Sequence, residues 1–215
     1  MTSYNPAVAK LEMPSRIKKL PIDERGFPVP KFVAWIDGKP DFRTAEASWV
    51  SKSHRLRLCW QCGEPLGRHL AFAIGPMCAI NRVSSETPSH LECAKFAVQA
   101  CPFLTQPRRP RNSYDLPEQH VEPGGVMIQR NPGVTLIWVT RSYTPFRAAG
   151  GVLFRIGEPE QVLWYARGRA ATREEVMTSM DAGLPQLKAI AEEQGPEAVA
   201  ELMKEIERGF ALLPA

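Results

Sequence analysis

No stretch of this chain approaches the roughly 18 consecutive apolar residues that a membrane-spanning helix requires, and residues 1–10 have no apolar segment behind a basic start. A membrane span and a secretory leader are therefore not expected, and the sequence reads as that of a cytoplasmic protein. Internal repeats and low-complexity tracts are absent as well. Cysteine is scarce and odd in number, five residues in 215, all of them between Leu58 and Leu104. An odd, clustered set without a route to an oxidising compartment argues against a disulfide framework and for metal binding. What remains is the composition of an ordinary globular protein, with 44% hydrophobic and 23% charged residues.

The charge is unevenly spread. Met1 to Arg111 carries 17 Lys and Arg against 9 Asp and Glu, or +8, whereas Asn112 to Ala215 carries 10 against 14, or −4. Asymmetry of this kind points to different partners for the two halves, and the basic half holds the cysteines.

Along the chain, five prolines (Pro6, Pro14, Pro21, Pro28 and Pro30) and the cluster Arg16, Lys18, Lys19 make residues up to 30 read as an extended arm, either laid over the surface or reaching toward nucleic acid. Phe32 to Ile36, Asp37-Gly38 and Asp41 to Arg43 predict a tight hairpin. Thr44 is placed to cap a helix that carries the chain into Cys59. Thr105 to Gly125, rich in Pro and Gly and carrying Arg108, Arg109 and Arg111, reads as a linker. Beyond it, Val134 to Val139 predicts a central strand, and 152–156 with 161–165 a hairpin. Thr172 and Glu175 form a capping-box pair, Gly183 is placed to end that helix and Pro185 to start a second. Gly195-Pro196 repeats the signal before a third, lined by Val199, Leu202, Met203, Ile206 and Phe210. The expected fold is α+β in four segments: an arm with hairpin and helix (1–57), a metal module (58–104), the linker (105–125), and a small sheet covered by C-terminal helices (126–215).

The chemistry lies in the second segment. Cys59-Trp60-Gln61-Cys62-Gly63 sets two thiolates two residues apart on a tight turn, a zinc knuckle. His90 and Cys93, three apart at the start of a helix that Ser89 can cap, share one helical face. Between them Leu70 to Ile74, Gly75-Pro76 and Met77 to Val83 read as a β-hairpin. Knuckle, hairpin and ligand-bearing helix together resemble the treble-clef zinc finger over roughly residues 58–101. That resemblance implies a structural zinc ion held by Cys59, Cys62, His90 and Cys93. Cys78 and Cys101 are left over; either could replace a ligand, and an iron–sulfur cluster of Cys59, Cys62, Cys93 and one of them stays open.

A hydrolytic zinc keeps a position free for water, whereas four good ligands close the shell. Cytidine-type deaminases place His and Glu before the Cys pair, the reverse of the order here. Nucleases of the HNH type also build on a treble clef, and His69 and Asn81 lie in the matching region, although Arg68 stands where an Asp would be expected. Arg55, Arg57, Arg68, Arg82 and Lys95 surround the module, and Trp60 at its tip is a candidate to stack on a base or enter a protein pocket.

Most of the chain is also similar to a group of small bacterial and phage proteins, through Phe32 to Arg43, Leu58 to Gly63, Ile74 to Arg82 and Gly168 to Arg173. This implies a phage or mobile-element setting and no particular activity. The expectation is thus a non-enzymatic zinc-binding protein whose basic surface, with Arg55, Arg57, Trp60, Arg68, Arg82 and Lys95, binds nucleic acid or a host protein. A metal-dependent nuclease using His69 and Asn81 is the alternative, and small-molecule binding near Trp138, Trp164, Tyr165 and Arg167 a third reading.

Overall fold

The computed structural model describes residues 3–107, 114–118, 120, 124, 131–148 and 150–215. Arg108, Arg109, Arg111 and most of the expected linker lie outside them.

The N-terminal segment is not simply extended. Two single-turn helices, α1 (Pro6–Ala9) and α2 (Ser15–Lys18), are followed by a bridge between Ile22 and Pro28. Proline is tolerated because it sits at the first position of α1 and just before α2, where no helical N–H is lost. The predicted hairpin is present as β1 (Val33–Ile36) and β2 (Lys39–Ala45), turned by Asp37 and Gly38 at φ 49° and 75°. Thr44 caps nothing: it lies in β2, 1% exposed, and the helix α3 (Trp49–Leu56) starts after Ser48. Strand pairing with Val33 holds Ala45 extended, so the helix cannot begin until the ribbon ends.

The centre of the molecule is an antiparallel sheet of β3 (Leu70–Ile74), β5 (Thr135–Thr140), β8 (Gln161–Ala166) and β9 (Arg169–Ala170), in the order β3-β5-β8-β9. Both faces are covered, which is why β5 is buried at every position and reads as a continuous apolar run. Alternation sorts the side chains. Leu70, Phe72, Ile74, Leu136, Trp138 and Trp164 face a core completed by α4 (Pro76–Asn81), α7 (Arg173–Gln194) and α8 (Pro196–Phe210). Ala71, Ile137 and Val139 face the other way, onto Ala94 and Val98 of α5 (Leu91–Ala100). β3 of residues 58–104 and β5, β8 and β9 of residues 126–215 thus share one sheet and one core.

Two expected hairpins are replaced by crossovers. After β3, Gly75-Pro76 starts a helix rather than a turn, with Gly75 as N-cap and Pro76 at N1, and residues 76–81 form α4. β4 (Val83–Ser84) then joins a second sheet, in the order β4-β7-β6, with β6 (Tyr143–Ala148) and β7 (Gly151–Ile156). β7 and β8 consequently lie in different sheets. Gly157 makes the crossing between them: a Cβ there would stand 2.7 Å from the Ser142 carbonyl and 2.9 Å from Thr140 Oγ1.

A short helix, α6 (Pro102–Thr105), follows α5 directly. The capping box of Thr172 and Glu175 is formed. The helix it starts runs unbroken through Gly183 and Pro185 to Gln194. Val176, Met180, Leu187 and Ala191 form one buried stripe across the break, so core packing outweighs the hydrogen bond that Pro185 removes. Among the described residues no helix is long and apolar enough to cross a membrane.

Candidate metal centre

Cys59 and Cys62 sit on a tight loop whose backbone closes on itself. Cys59 N–H donates to the Glu64 carbonyl at 2.8 Å, and Gly63 N–H to the Cys59 carbonyl at 2.9 Å. Gly63 carries φ 75°, and a Cβ there would come within 2.8 Å of Lys31 Cγ and 3.3 Å of the Trp49 ring. Glycine is thus required twice, by conformation and by space. Two further N–H groups, those of Cys62 (3.5 Å) and His90 (3.4 Å), point at Cys59 Sγ.

The second half comes from α5. His90 is its N-cap and Cys93 lies in its first turn, so the positive end of the helix faces the sulfurs. The isolated bridge between Ala71 and Ser89 ties the start of this helix to β3. The ligand atoms of Cys59, Cys62, His90 and Cys93 lie within 4.8 Å of one another and form a cluster that could hold a metal ion. His90 Nδ1 is 3.4 Å from Cys62 Sγ and 3.9 Å from Cys93 Sγ. A tetrahedral zinc ion needs donor separations of about 3.5–3.8 Å, given Zn–S near 2.3 Å and Zn–N near 2.0–2.1 Å. The four residues therefore fit such an ion without rearranging the backbone. His90 Nε2 is 3.0 Å from the Pro65 carbonyl, which fixes the ring with Nδ1 toward the cluster.

The four groups shift one another's protonation. Burial alone would push the Cys59 thiol up, but hydrogen bonds from Cys62, Cys93 and His90 outweigh it and draw its pKa far down. Cys93 moves the opposite way, because Cys59 and Cys62 hydrogen-bond to it and burial adds to the shift. Hydrogen bonds to Cys59 and Cys62 push the His90 imidazole up to about 10. The first thiolate is welcome and the next is resisted, a conflict that a central divalent ion removes.

A lid covers the cluster. Val8, Ile17 and Leu20 of the N-terminal segment pack with Cys59, Cys62, Cys93 and Phe96 in one apolar cluster. Arg16 pairs with Glu92 and, at 2.9 Å, with Glu64, while Lys19 meets Glu64 at 2.8 Å. Two of the segment's basic residues, Arg16 and Lys19, are thus spent on the acidic flanks of the knuckle and the helix. Nothing in the sequence marked this pairing, since the partners are 45 and 76 residues apart.

Cys78 lies on α4 and Cys101 at the C-terminal end of α5; neither joins the cluster, which removes the four-cysteine arrangement. Trp60 is not at an exposed tip. It is 3% exposed and stacked on Phe32 at 4.9 Å, because the β1 ribbon folds against the knuckle. Arg82 is committed to the fold, donating to Glu158 at 2.6 Å and lying 5.7 Å over the Trp138 ring. Lys95 stands half-buried on α5. Arg55, Arg57 and Arg68 are exposed, and among the described residues none has a carboxylate partner. Arg57, at φ 50°, reaches the Gly67 carbonyl at 3.5 Å, which sets it beside Arg68. His69 is exposed, 2.9 Å from Glu160, which also accepts from Arg141. Asn81 ends α4, and among the described residues no second group of metal donors includes either. Trp138 and Trp164 are core residues, each with its indole N–H on a backbone carbonyl.

No family model, curated protein or solved structure matches this chain.

Proposed function

We propose that the chain is a non-enzymatic protein built around one structural zinc ion, and that the ion holds in shape a basic surface that binds nucleic acid. The observation that carries the zinc is the meeting of three sulfurs and one oriented imidazole within 4.8 Å. Soft donors in that number select zinc and leave no position for a reacting water. The N-terminal lid excludes solvent from the same place.

The binding surface is read from exposed arginines beside the cysteine loop. Arg16, Lys19, Arg25, Arg43, Arg82, Arg141 and Arg169 are paired with carboxylates. Among the described residues Arg55, Arg57 and Arg68 have no carboxylate partner, and they flank the loop that carries Cys59 and Cys62. Unneutralised arginines clustered on one lip suit a polyanion.

Binding to labelled DNA and RNA at several salt concentrations tests the reading. Affinity should fall steeply with salt, and charge-removing substitutions at Arg55, Arg57 and Arg68 should each reduce the slope of log affinity against log salt by about one. Binding that ignores salt, or no binding, would point instead to a host protein as partner.

A further inference from the structure

Trp35 is the exception among the tryptophans. It is 51% exposed, whereas Trp49, Trp60, Trp138 and Trp164 are at most 5% exposed. It stands on β1 opposite Pro40, at the wall of an open cavity of about 300 Å³. Pro21, Val29, Pro30 and Val33 make this cavity apolar, and Lys31 and Glu46 supply its charge. Glu46 is turned to Ser48, whose N–H and hydroxyl donate to Oε1 at 3.1 and 2.5 Å.

Lys31 connects the cavity to the basic surface. Its side chain and the Trp49 ring lie side by side over Gly63. The Lys52 ammonium is 5.7 Å over that same ring, and Arg55 follows one helical turn later on α3. Arg57 and Arg68 complete the run beside Gly67. Lys31 thus shares the cavity with the exposed indole and also reaches the Cys59–Gly63 loop, where Trp49 and Lys52 meet it.

We propose that Trp35 stacks on a nucleobase of single-stranded nucleic acid, whose phosphates follow Lys31, Lys52, Arg55, Arg57 and Arg68. The proposal rests on the reading of this surface as a nucleic-acid site and names its substrate class. A base can reach an indole at a cavity wall only when it is free to leave a stack, which single strands allow and a duplex resists. These cations favour a polyanion over a proline-rich peptide, which the same prolines and indole could otherwise hold.

The test titrates zinc-loaded protein with a labelled oligothymidine of about 12 nucleotides, within the usual span of a single-strand site, and with a blunt duplex of equal length. Because the other indoles are buried, quenching of tryptophan fluorescence reports chiefly on Trp35. The single strand should quench it, and Trp35→Ala should weaken single-strand binding about tenfold, as loss of one stacked base does, while changing duplex binding less than about twofold. Trp35→Phe should keep most of the affinity and lose the quench, which covers the case of an unstable alanine variant. Unchanged single-strand affinity in Trp35→Ala, or no quench in the parent, overturns the proposal and leaves the basic surface standing. Binding of neither oligonucleotide removes both readings and leaves the cavity to a peptide.

Discussion

The His90 imidazole meets the Pro65 carbonyl through Nε2 at 3.0 Å, and this one contact decides which ring nitrogen faces the sulfurs. Pro65 follows the knuckle directly, so the loop that supplies two sulfurs also orients the ligand from the helix. Replacing His90 by Ala should lower zinc affinity by more than the roughly 10–100-fold typical of losing an outer-shell partner alone. His90→Cys should keep one bound ion, because four soft donors remain. Competition against a chromophoric chelator distinguishes the two variants; equal affinity for parent and alanine variant would exclude His90 as a ligand.

The lid should be coupled to the metal. Val8, Ile17 and Leu20 pack on the ligand cysteines themselves, so stripping the ion separates the surface they cover. Chelation should therefore expose Lys18, Lys19 and Arg25 to trypsin well before the central sheet is cut, and added zinc should restore protection. Ile17→Ala, at a site 2% exposed, should cost about 2–4 kcal/mol in denaturant unfolding. Identical digestion with and without chelator would separate the segment from the site.

Gly63→Ala tests the knuckle itself. A left-handed φ of 75° together with a Cβ contact of 2.8 Å to Lys31 should destabilise the protein by about 1–2 kcal/mol. Gly67 offers a comparison in the same loop, since a Cβ there meets nothing within 4 Å. Gly67→Ala should be nearly silent in the same unfolding experiment.

Acid should weaken the start of α7. The Arg169 guanidinium, and then the Thr172 N–H, hold the Glu175 carboxyl down at about 2, against an ordinary 4.5. A depressed carboxylate stabilises the fold above its unfolded pKa and loses that contribution as pH falls toward the folded one. The stability difference between parent and Glu175→Gln should thus be full at pH 7 and fade between about 4.5 and 2. Arg169 is half exposed, so the difference should stay below about 1 kcal/mol. A gap that widens in acid would contradict the assignment.

The cluster of Cys59, Cys62, His90 and Cys93 could be read from sequence because each half is local. A Cys-x-x-Cys-Gly turn and a helix-start His-x-x-Cys are set by chain geometry within five residues, and only their meeting requires the fold. The β1–β2 turn and the Thr172–Glu175 box were legible for the same reason. What could not be read depends on long-range choice. Gly75-Pro76 suits a turn or a helix start equally, and β3 takes β5 as partner rather than its own neighbour because β5 offers a strand buried at every position. Gly183 and Pro185 are local stop signals that the buried stripe from Val176 to Ala191 overrides. Trp60, expected at an exposed tip, is covered by Phe32, while Trp35 is left at a cavity wall. No pattern within either segment distinguishes them.

The central claim is the ion. Native mass spectrometry of protein purified without chelator should find one zinc per chain, and Cys59→Ser, which removes the sulfur that draws hydrogen bonds from Cys62 and His90, should carry none. A parent chain without metal, or a Cys59→Ser chain that retains it fully, would contradict the account.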